Sequence, residues 1–420
     1  MIDQLDAEVS LEVERALAGL ALAQSRFAGS GEDIFRRFFA FAASRVQAWR
    51  DLRWQGTRLA TLKSLPVLER ADVAANPARF VADEDCRHVV RRTTSGTTGA
   101  LLTIGYDVCA QHVLNTLLYA TVFEQHFPAV LAAIEPGAVS VGLVTNKPTR
   151  GSSTALLPFI GATTWRRFQL RNEAELDSLV AAEPPIIYGK PMYIRELADR
   201  LSERHVRVKP ACILTSGERL YDDDRVAIGE AFGVGIVDAL VTAECGIVAV
   251  SRLDQPQLQV LSDLVVVEVQ TEDGEIRDQG FGELIVTSAF NWFNPFLRYR
   301  TGDVGWLHRQ RDGRQAIEGV RRRKEYAQLG PLAIETRELE LHLVRHGIWD
   351  YRLRVVGDCA FLIWSGAVAT PDRSAEVGRL VARLLKTATC RVRRVASVTR
   401  PGAKRLRYPA GGRGFASVAT

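Results

Sequence analysis

Residues 92–99 read RTTSGTTG, a run of five hydroxyl side chains and two glycines with no hydrophobic side chain. Glycine flexibility and the competition of hydroxyls for the backbone disfavour a helix there. Hydroxyl and backbone N–H donors on a glycine-rich loop are the groups that bind a polyphosphate. The apolar residues on either side, 88–90 and 101–104, predict a hairpin that holds the loop; the alternative is a plain polar surface loop. A Walker A loop is excluded because no Gly-Lys-Ser/Thr follows at the required spacing.

Three further stretches carry polar residues in patterns that occur at binding sites. Residues 215–220 read TSGERL directly after a predicted strand. A small-residue turn at the carboxyl end of a parallel strand is where α/β proteins place ligands. Residues 238–244 read DALVTAE, and residues 291–303 read NWFNPFLRYRTGD. The structural alternatives are a strand-to-helix link, a buried strand with an incidental glutamate, and an Arg–Asp pair in a turn, of which the last does not explain a string of thirteen residues.

These segments resemble, in the same order, the motifs of adenylate-forming enzymes, which are the acyl- and aryl-CoA ligases and the adenylation domains of peptide synthetases. Residues 291–303 are very similar to that family's N…PLIRYRTGD motif, and residues 95–99 are similar to its phosphate loop. The segment LPVLERAD at 65–72 resembles the one before the phosphate loop in phenylacetate-CoA-ligase-like members. The resemblance extends from Leu65 to Arg407, nearly the whole chain.

The resemblance implies a role for each matched residue. The implied ATP- and AMP-binding residues are Ser95, Gly96, Thr97, Thr98, Gly99, Ser216, Gly217, Glu218, Asp238, Ala239, Leu240, Thr242 and Asp303. Asp238 would accept the adenine amino group, and Asp303 would accept both ribose hydroxyls, as one carboxylate can. Glu244 would face the metal, because a hard cation on a triphosphate prefers oxygen ligands. The implied catalytic residues are Glu244, the hinge residue Arg321, and Lys404, whose K-x-x-R spacing to a later arginine matches the family.

The chain also departs from the family pattern around these residues. Leu240 stands where an aromatic is usual, Val241 where a glycine is usual, and Ala243 where a hydroxyl is usual. Ala100 replaces the lysine that usually follows the loop, and the arginines at 91–92 can share its role. These losses motivate one alternative reading, a degenerate nucleotide-binding protein without turnover.

The implied reaction has two steps and three cofactors, ATP, Mg²⁺ and coenzyme A. A small aromatic carboxylic acid, aryl or arylacetic, is activated to an acyl-adenylate with release of pyrophosphate and is then passed to coenzyme A with release of AMP. The candidate pocket residues are Tyr188, Gly189, Pro191 and Asn146, with the loop 144–153 and Trp165 beside them. The acceptor could instead be a carrier protein, whose acidic surface an Arg-rich C-terminal face would suit, or an amine or hydroxyl.

Composition excludes several other classes of protein. The net charge of +5 over 420 residues argues against a nucleic-acid binder that relies on many phosphate contacts. No stretch of about 20 apolar residues predicts a membrane span, and no signal peptide is recognisable. Six cysteines without a C-x-x-C pair predict reduced thiols and a cytoplasmic location. The sequence is compatible with a homodimer.

The elements that position these residues predict an α/β fold in more than one domain. Strands and helices alternate from 138 to 241, which favours layered parallel sheets, and the pattern after 255 indicates antiparallel, β-barrel-like strands with hairpin turns at 273–274 and 312–313. We expect an N-terminal adenylation domain at 1–319, a hinge at 320–324 and a small mobile α+β domain at 325–420 that carries Lys404.

Overall fold

The computed structural model describes residues 23, 25–54, 59–83, 89–94, 102–110, 138–145, 152–157, 161–170, 172–253, 255–322, 339, 342–343, 348, 350–365, 374–395 and 398. In the description that follows, strands are numbered β1 to β18 and helices α1 to α7 in chain order.

A helical layer precedes the first strand. It consists of α1 Gly31–Arg45, α2 Gln47–Asp51, a 3-10 turn Leu59–Ser64, α3 Arg70–Ala75 and a second 3-10 turn Pro77–Phe80. α1 begins with a capping box in which the Ser30 and Asp33 side chains each accept the other's backbone N–H. Its buried aromatic face packs on Trp292, whose ring lies 5.6 Å from that of Phe38. The sequence at 65–73 is typical of a turn into a short helix, and α3 confirms this.

A two-stranded hairpin follows this layer. β1 Val90–Thr93 pairs antiparallel with β2 Thr103–Tyr106. The predicted hairpin around the loop is confirmed for these strands, and the loop residues 95–99 themselves lie outside the described residues.

The largest described sheet has thirteen strands, and its parallel half carries the carboxyl-end turns. Its strands are β3 Ala138–Thr145, β4 Ser152–Leu157, β5 Gly161–Gln169, β6 Ile186–Gly189, β7 Cys212–Ser216 and β8 Ile236–Thr242, with helices α4 Glu173–Ala182, α5 Pro191–Glu203 and α6 Asp222–Phe232. β5, β3, β6, β7 and β8 are parallel neighbours, and β4 closes the edge antiparallel to β5. Residues 152–153 begin β4, although the sequence analysis placed them in a loop.

The antiparallel half continues in the same sheet, because β9 pairs antiparallel with β8. Its strands are β9 Gly246–Arg252, β10 Gln255–Val260, β11 Val265–Gln270, β12 Ile276–Arg277, β13 Gly280–Ser288, β14 Tyr299–Arg309 and β15 Gln315–Arg322. Gly274 and Gly313 adopt φ of +85° and +83° in the two predicted hairpin turns. The predicted antiparallel layer is therefore joined to the parallel strands by hydrogen bonds along its edge.

The last described elements form a separate three-stranded sheet. β16 Asp350–Val356 pairs antiparallel with β17 Cys359–Ser365, which pairs parallel with β18 Thr389–Arg394 after α7 Ser374–Leu384. Buried Tyr351, Trp364, Val377 and Val381 belong to a hydrophobic cluster of this part. Residues 335–346, whose sequence is typical of a helix, lie largely outside the described residues.

Where the structure describes the chain, none of its helices is long and apolar enough to cross a membrane. Five described cysteines are free thiols, Cys109, Cys212, Cys245, Cys359 and Cys390.

Candidate functional site

The ends of β6 and β7 bring Tyr188 and Ser216 together. Their hydroxyl oxygens lie 2.6 Å apart, so one donates a hydrogen bond to the other. Burial raises the pKa of Tyr188 above its ordinary range, which keeps the hydroxyl protonated. Gly189 pairs with Thr215 on β7 and with Val144 on β3, where a Cβ would lie 3.0 Å from the Val144 carbonyl oxygen. The predicted pocket residues at 188–189 therefore border the predicted nucleotide turn.

That turn is attached to the next helix by its acidic residue. Gly217 adopts φ of +82°, which favours glycine, and this reverses the chain after β7. The Glu218 carboxylate accepts a 2.8 Å hydrogen bond from the backbone N–H of Met192, near the start of α5. Pro191 is buried as the first residue of that helix. Glu218 thus holds the turn against α5 and has a structural role that the sequence did not indicate.

Asp238 lies on β8 beside the turn. Its Oδ1 accepts a 2.6 Å hydrogen bond from Thr215 Oγ1, and its backbone N–H donates to Ser251 Oγ over 2.8 Å. Burial raises the pKa of Asp238 to about 6, opposed by the Thr215 hydrogen bond and the charge of Arg225. The carboxylate is therefore poised to change its charge near neutral pH. Sequence reasoning missed both Thr215 and Ser251 as its partners.

The remaining residues of this strand connect the two carboxylates. Ala239 is buried and pairs with Ser216 on β7, whereas Leu240 is partly buried against the core. The register with β9 shifts between Leu240 and Val241. Thr242 Oγ1 accepts a 2.9 Å hydrogen bond from the Cys245 N–H, which stabilises the turn that presents the next carboxylate.

Glu244 lies in that turn and is held by two donors. Arg70 Nη1 and Tyr299 Oη donate to its Oε1 over 2.8 and 3.1 Å. Arg70 Nη2 also donates to Thr94 Oγ1 over 2.6 Å, at the base of the 95–99 loop. Arg70 belongs to the segment interpreted only as a turn into a helix, and no motif in the sequence identified it as part of a site.

Asp303 lies on β14 and is buried, with 7% of its surface exposed. Gly302 before it adopts φ of +73°, and the Asp303 N–H donates to Thr301 Oγ1 over 3.1 Å. Burial, and after it the negative charges of Glu244 and Asp303, raise the pKa of the Cys245 thiol above its ordinary value. Both the predicted magnesium-facing and the predicted ribose-facing carboxylate therefore act electrostatically on one buried cysteine.

The two arginines before Asp303 serve the packing of the fold. Arg298 is buried and forms a bidentate pair with Glu268 over 2.8 and 3.0 Å, and it also donates to the carbonyls of Lys63 and Leu65. Arg300 donates to Glu69, Gln270 and Glu283 over 2.7, 2.6 and 2.7 Å. These bonds join β14 to the helical layer and to neighbouring strands.

The asparagines of the same motif hold the hairpin in place. Gly105 of β2 donates its N–H to Asn294 Oδ1 over 2.7 Å, and its carbonyl accepts from Asn291 Nδ2 over 2.8 Å. A Cβ at Gly105 would lie only 2.3 Å from the Phe293 ring, so the close approach requires glycine. Thr94 Oγ1 accepts from the Leu102 N–H over 3.1 Å, which closes the base of the loop. The hairpin that flanks the loop is therefore anchored to the segment that carries Asp303.

Several predicted site residues lie outside what the structure describes. They are Ser95, Gly96, Thr97, Thr98, Gly99, Asn146 and Lys404. The backbone of Arg321 is described. Arg321 lies on β15 and pairs with Val304 on β14, one residue beyond Asp303. The hinge 320–324 is described only to residue 322, and the side chain of Arg321 is not.

The donor set is suited to magnesium carried by phosphates. No cluster of three or more His, Cys, Asp or Glu residues that could hold a metal occurs in the described ranges. Among the described residues, both hydrogen bonds to the Glu244 carboxylate fall on Oε1, so Oε2 can act as an oxygen ligand. Mg²⁺ is usually bound through one or two carboxylates together with substrate phosphates, and a single glutamate such as Glu244 fits that pattern.

Comparisons with known proteins identify the fold. No protein-family model and no curated protein matches the chain. A structure of 2-hydroxyisobutyryl-CoA ligase in the postadenylation state with 2-HIB-AMP matches at 16% identity and a TM-score of 0.66, covering 93% of this chain and 90% of that one. The anthranilate CoA ligase AuaEII with anthranoyl-AMP matches at 14% and 0.57, covering 79% and 66%. ATP-bound MatB from Rhodopseudomonas palustris matches at 16% and 0.52, covering 80% and 70%. The chain has the fold of adenylate-forming enzymes.

Proposed function

We propose that the chain is an AMP-forming acid–thiol ligase that activates an aromatic carboxylic acid with ATP and transfers the acyl group to coenzyme A. The observation that carries the proposal is the junction around Glu244. There a carboxylate from the end of the parallel half is hydrogen-bonded to Tyr299, four residues before Asp303, and to Arg70, which reaches the base of the hydroxyl-rich loop. On an adenylate-forming fold, these contacts support the proposed metal role of Glu244, because they link it to the strand that carries Asp303 and to the residue before the hydroxyl-rich loop.

In the first step, a carboxylate oxygen of the acid attacks the α-phosphorus of ATP. A P–O bond forms, the bond to the bridging oxygen breaks, and pyrophosphate leaves. Asp238 and the 216–218 turn would bind adenine, Asp303 the ribose, and residues 95–99 the phosphates, while Lys404 would neutralise charge at the α-phosphate. Glu244 would hold magnesium, which would supply positive charge to the phosphates.

In the second step, the thiol sulfur attacks the acyl carbonyl, its proton is lost, and AMP leaves with the C–O electron pair. We propose that the domain at 325–420 rotates about the hinge 320–324 between the steps, so that Lys404 withdraws and the thiol enters. The adjacency of Arg321 to the strand segment of Asp303 supports this, since a change at residues 321–322 would act directly beside the ribose site.

We further propose an aryl or arylacetic acid as the substrate, as in phenylacetate-CoA ligases. Tyr188 is partly buried beside the Ser216 turn, and Trp165 on β5 is partly buried in the same core. Gly189 and Pro191 follow Tyr188 in the chain, and Asn146 follows β3, which pairs with β6. An aromatic wall with one hydroxyl suits a flat ring that carries a polar substituent.

The test is pyrophosphate release with Mg-ATP across a panel of aryl, arylacetic and fatty acids, with and without coenzyme A. We expect release with one aromatic acid, and AMP plus acyl-CoA only when the thiol is present. Lys404→Ala is expected to abolish release and to leave AMP binding intact. Measurable nucleotide binding without release for any acid would replace the proposal with a degenerate nucleotide-binding protein.

A second acceptor is favoured by one observation in the C-terminal sheet. β16 and β18 both pair with β17. Phe361 and Ile363 are two residues apart on β17 and lie on the same face of the sheet, and so do the residues that pair with them on β16 and β18. The residues at these positions are Arg352, Arg354, Arg391 and Arg393. Four arginines on one face suit the acidic surface of a carrier protein that bears phosphopantetheine.

The two acceptors can be distinguished by single-turnover transfer from preformed acyl-adenylate. Coenzyme A and a phosphopantetheinylated acidic carrier protein are offered at equal thiol concentration. If the carrier is the acceptor, it is acylated faster, and R391E/R393E raises its KM about tenfold while pyrophosphate release without acceptor is unchanged. Equal rates for both thiols, unaffected by the double substitution, would leave coenzyme A as the acceptor.

A further inference from the structure

We propose that Arg70 is a positioning residue of this site, which holds the Glu244 carboxylate and the base of the 95–99 loop in one frame and adds positive charge beside the loop. The inference rests on the proposed function to the extent that it takes a magnesium–nucleotide complex as the ligand. No motif in the sequence indicates Arg70, and its role follows from three contacts in the structure.

The first step of the argument is the placement of the two guanidinium nitrogens. Arg70 is the first residue of α3, in the helical layer, and its side chain crosses to two other elements. Nη1 lies 2.8 Å from Glu244 Oε1, and Nη2 lies 2.6 Å from Thr94 Oγ1. Because the guanidinium is planar and rigid, these two bonds fix the β8–β9 turn relative to the hairpin.

The second step concerns which oxygen of Glu244 is used. Tyr299 donates to the same Oε1 over 3.1 Å, so two donors from opposite elements orient the carboxylate. The Glu244 side chain is only 11% exposed, and a carboxylate so enclosed is costly unless it is paired. The two donors therefore hold the carboxylate in place before any ligand arrives, which is the arrangement that preorganised sites require.

The third step concerns charge. Residues 93–101 read TTSGTTGAL and contain no lysine or arginine, although a polyphosphate brings several negative charges. Arg92 lies just before the loop, with its guanidinium 5.1 Å from the centre of the Tyr106 ring. Arg70 reaches the residue immediately before Ser95 and contributes a positive charge at the position where the loop begins.

The experiment measures magnesium-dependent binding of a non-hydrolysable ATP analogue by calorimetry, together with AMP binding without magnesium. We expect Arg70→Gln to raise the magnesium concentration for half-maximal analogue binding about tenfold or more, because a charged hydrogen bond and a charge are both lost. AMP affinity should change less than about twofold, since AMP requires neither the metal nor the outer phosphates.

Three further variants separate the contributions. Arg70→Lys retains the positive charge but lacks the planar guanidinium that makes both hydrogen bonds. It should therefore bind the analogue at a lower magnesium concentration than Arg70→Gln does. Tyr299→Phe removes the other hydrogen bond to Glu244 Oε1 without a change of charge, and a shift of about two- to threefold is expected. Arg79→Gln is the matched control, because Arg79 pairs with exposed Asp51 over 2.7 Å in the same helical layer, and no shift is expected.

The outcomes also distinguish this inference from the proposed function. Wild-type magnesium dependence in Arg70→Gln, or an equal loss of AMP and analogue binding, would overturn the role of Arg70. Should the analogue bind in an Arg70-dependent way while no acid releases pyrophosphate, the proposed ligase is wrong and the inference stands. A wild-type protein that binds no nucleotide with magnesium would overturn both. If Arg70→Gln fails to fold, Thr94→Val tests the same frame, because it removes the acceptor of Arg70 at the loop base, together with the acceptor of the Leu102 N–H.

Discussion

Two segments supply the candidate carboxylates, and they are held in different ways. In 298–303 on β14, the arginines before Asp303 are enclosed by carboxylates, an amide and backbone carbonyls from four other segments. In 238–244, on β8 and the turn after it, Ala239, Leu240 and Val241 pack as apolar side chains between the two carboxylates, and the register shifts within the strand. Charged partners hold the first segment, whereas apolar packing holds the middle of the second.

The difference shows why one segment resembles a family motif throughout and the other departs from it. A buried charge needs a partner of opposite sign at a defined place, so few residue types can replace Arg298. Apolar positions such as Leu240 and Val241 accept several side chains of similar volume. The recognisable part of 298–303 is therefore largely structural, and only its final carboxylate is assigned to a ligand.

The strongest test of this comparison is Arg298→Met, which leaves Glu268 buried without its partner. We expect a loss of about 3–5 kcal/mol in the free energy of unfolding, the usual cost of breaking a buried ion pair. Urea unfolding followed by circular dichroism measures it. The double variant Arg298→Met/Glu268→Leu should recover part of the loss, and a single variant that costs under about 1 kcal/mol would show that the pair does not hold β14.

The contacts of the same motif with the hairpin give the next effect. Asn294→Ala removes the acceptor for the Gly105 N–H and the 2.8 Å donor to the Phe80 carbonyl, both in a buried place. Two unsatisfied backbone groups should cost about 2–4 kcal/mol of unfolding free energy. Nucleotide affinity should fall as well, because the loop base shifts, whereas Asn76→Ala at an exposed helix end should change neither by a measurable amount. An Asn294→Ala protein with normal stability would show that these contacts do not hold the hairpin in place.

The β8 segment is tested through Asp238, whose pKa is raised to about 6 by burial. The ordinary pKa is about 4, so the folded protein binds this proton more tightly than the unfolded chain, and its contribution to stability is fully present below about pH 4. The contribution is lost as the pH rises through about 6, by on the order of 2 kcal/mol. The measurement is the unfolding free energy of wild type minus that of Asp238→Asn from pH 4 to 8. This difference should fall up to about pH 6–7 and then stay constant; a difference that does not vary with pH would contradict the raised pKa.

The smallest effect is expected where only neutral hydroxyls meet. Tyr188→Phe removes the 2.6 Å hydrogen bond to Ser216, at a cost of about 0.5–1.5 kcal/mol. In the proposed ligase this appears as a rise in KM for the acid with little change in kcat. Ser216→Ala should have a similar cost, and the double variant should cost less than the sum of the two, because both remove the same bond. Additive costs would show that the two hydroxyls act independently.

Much of the fold was predictable because its signals are local. The parallel strands from β6 to β8, their helices and the glycine turns at Gly274 and Gly313 follow from short apolar runs and turn residues. β4 and β5 were not predicted, and β4 begins inside the expected loop. β9 was also not predicted as the strand that joins the two halves, since strand pairing is not visible in one segment alone.

The sequence by itself determined which residue types stand at the candidate site, the glycine and hydroxyl content of the loop, and the two carboxylates at Glu244 and Asp303. Only the tertiary structure decided that Arg70 meets Glu244 and that Asn291 and Asn294 enclose Gly105. These partners are 174, 186 and 189 residues apart along the chain. Patterns along a segment report the periods and turns of that segment, whereas contacts over such separations arise when strands and helices pack, and packing depends on the whole chain.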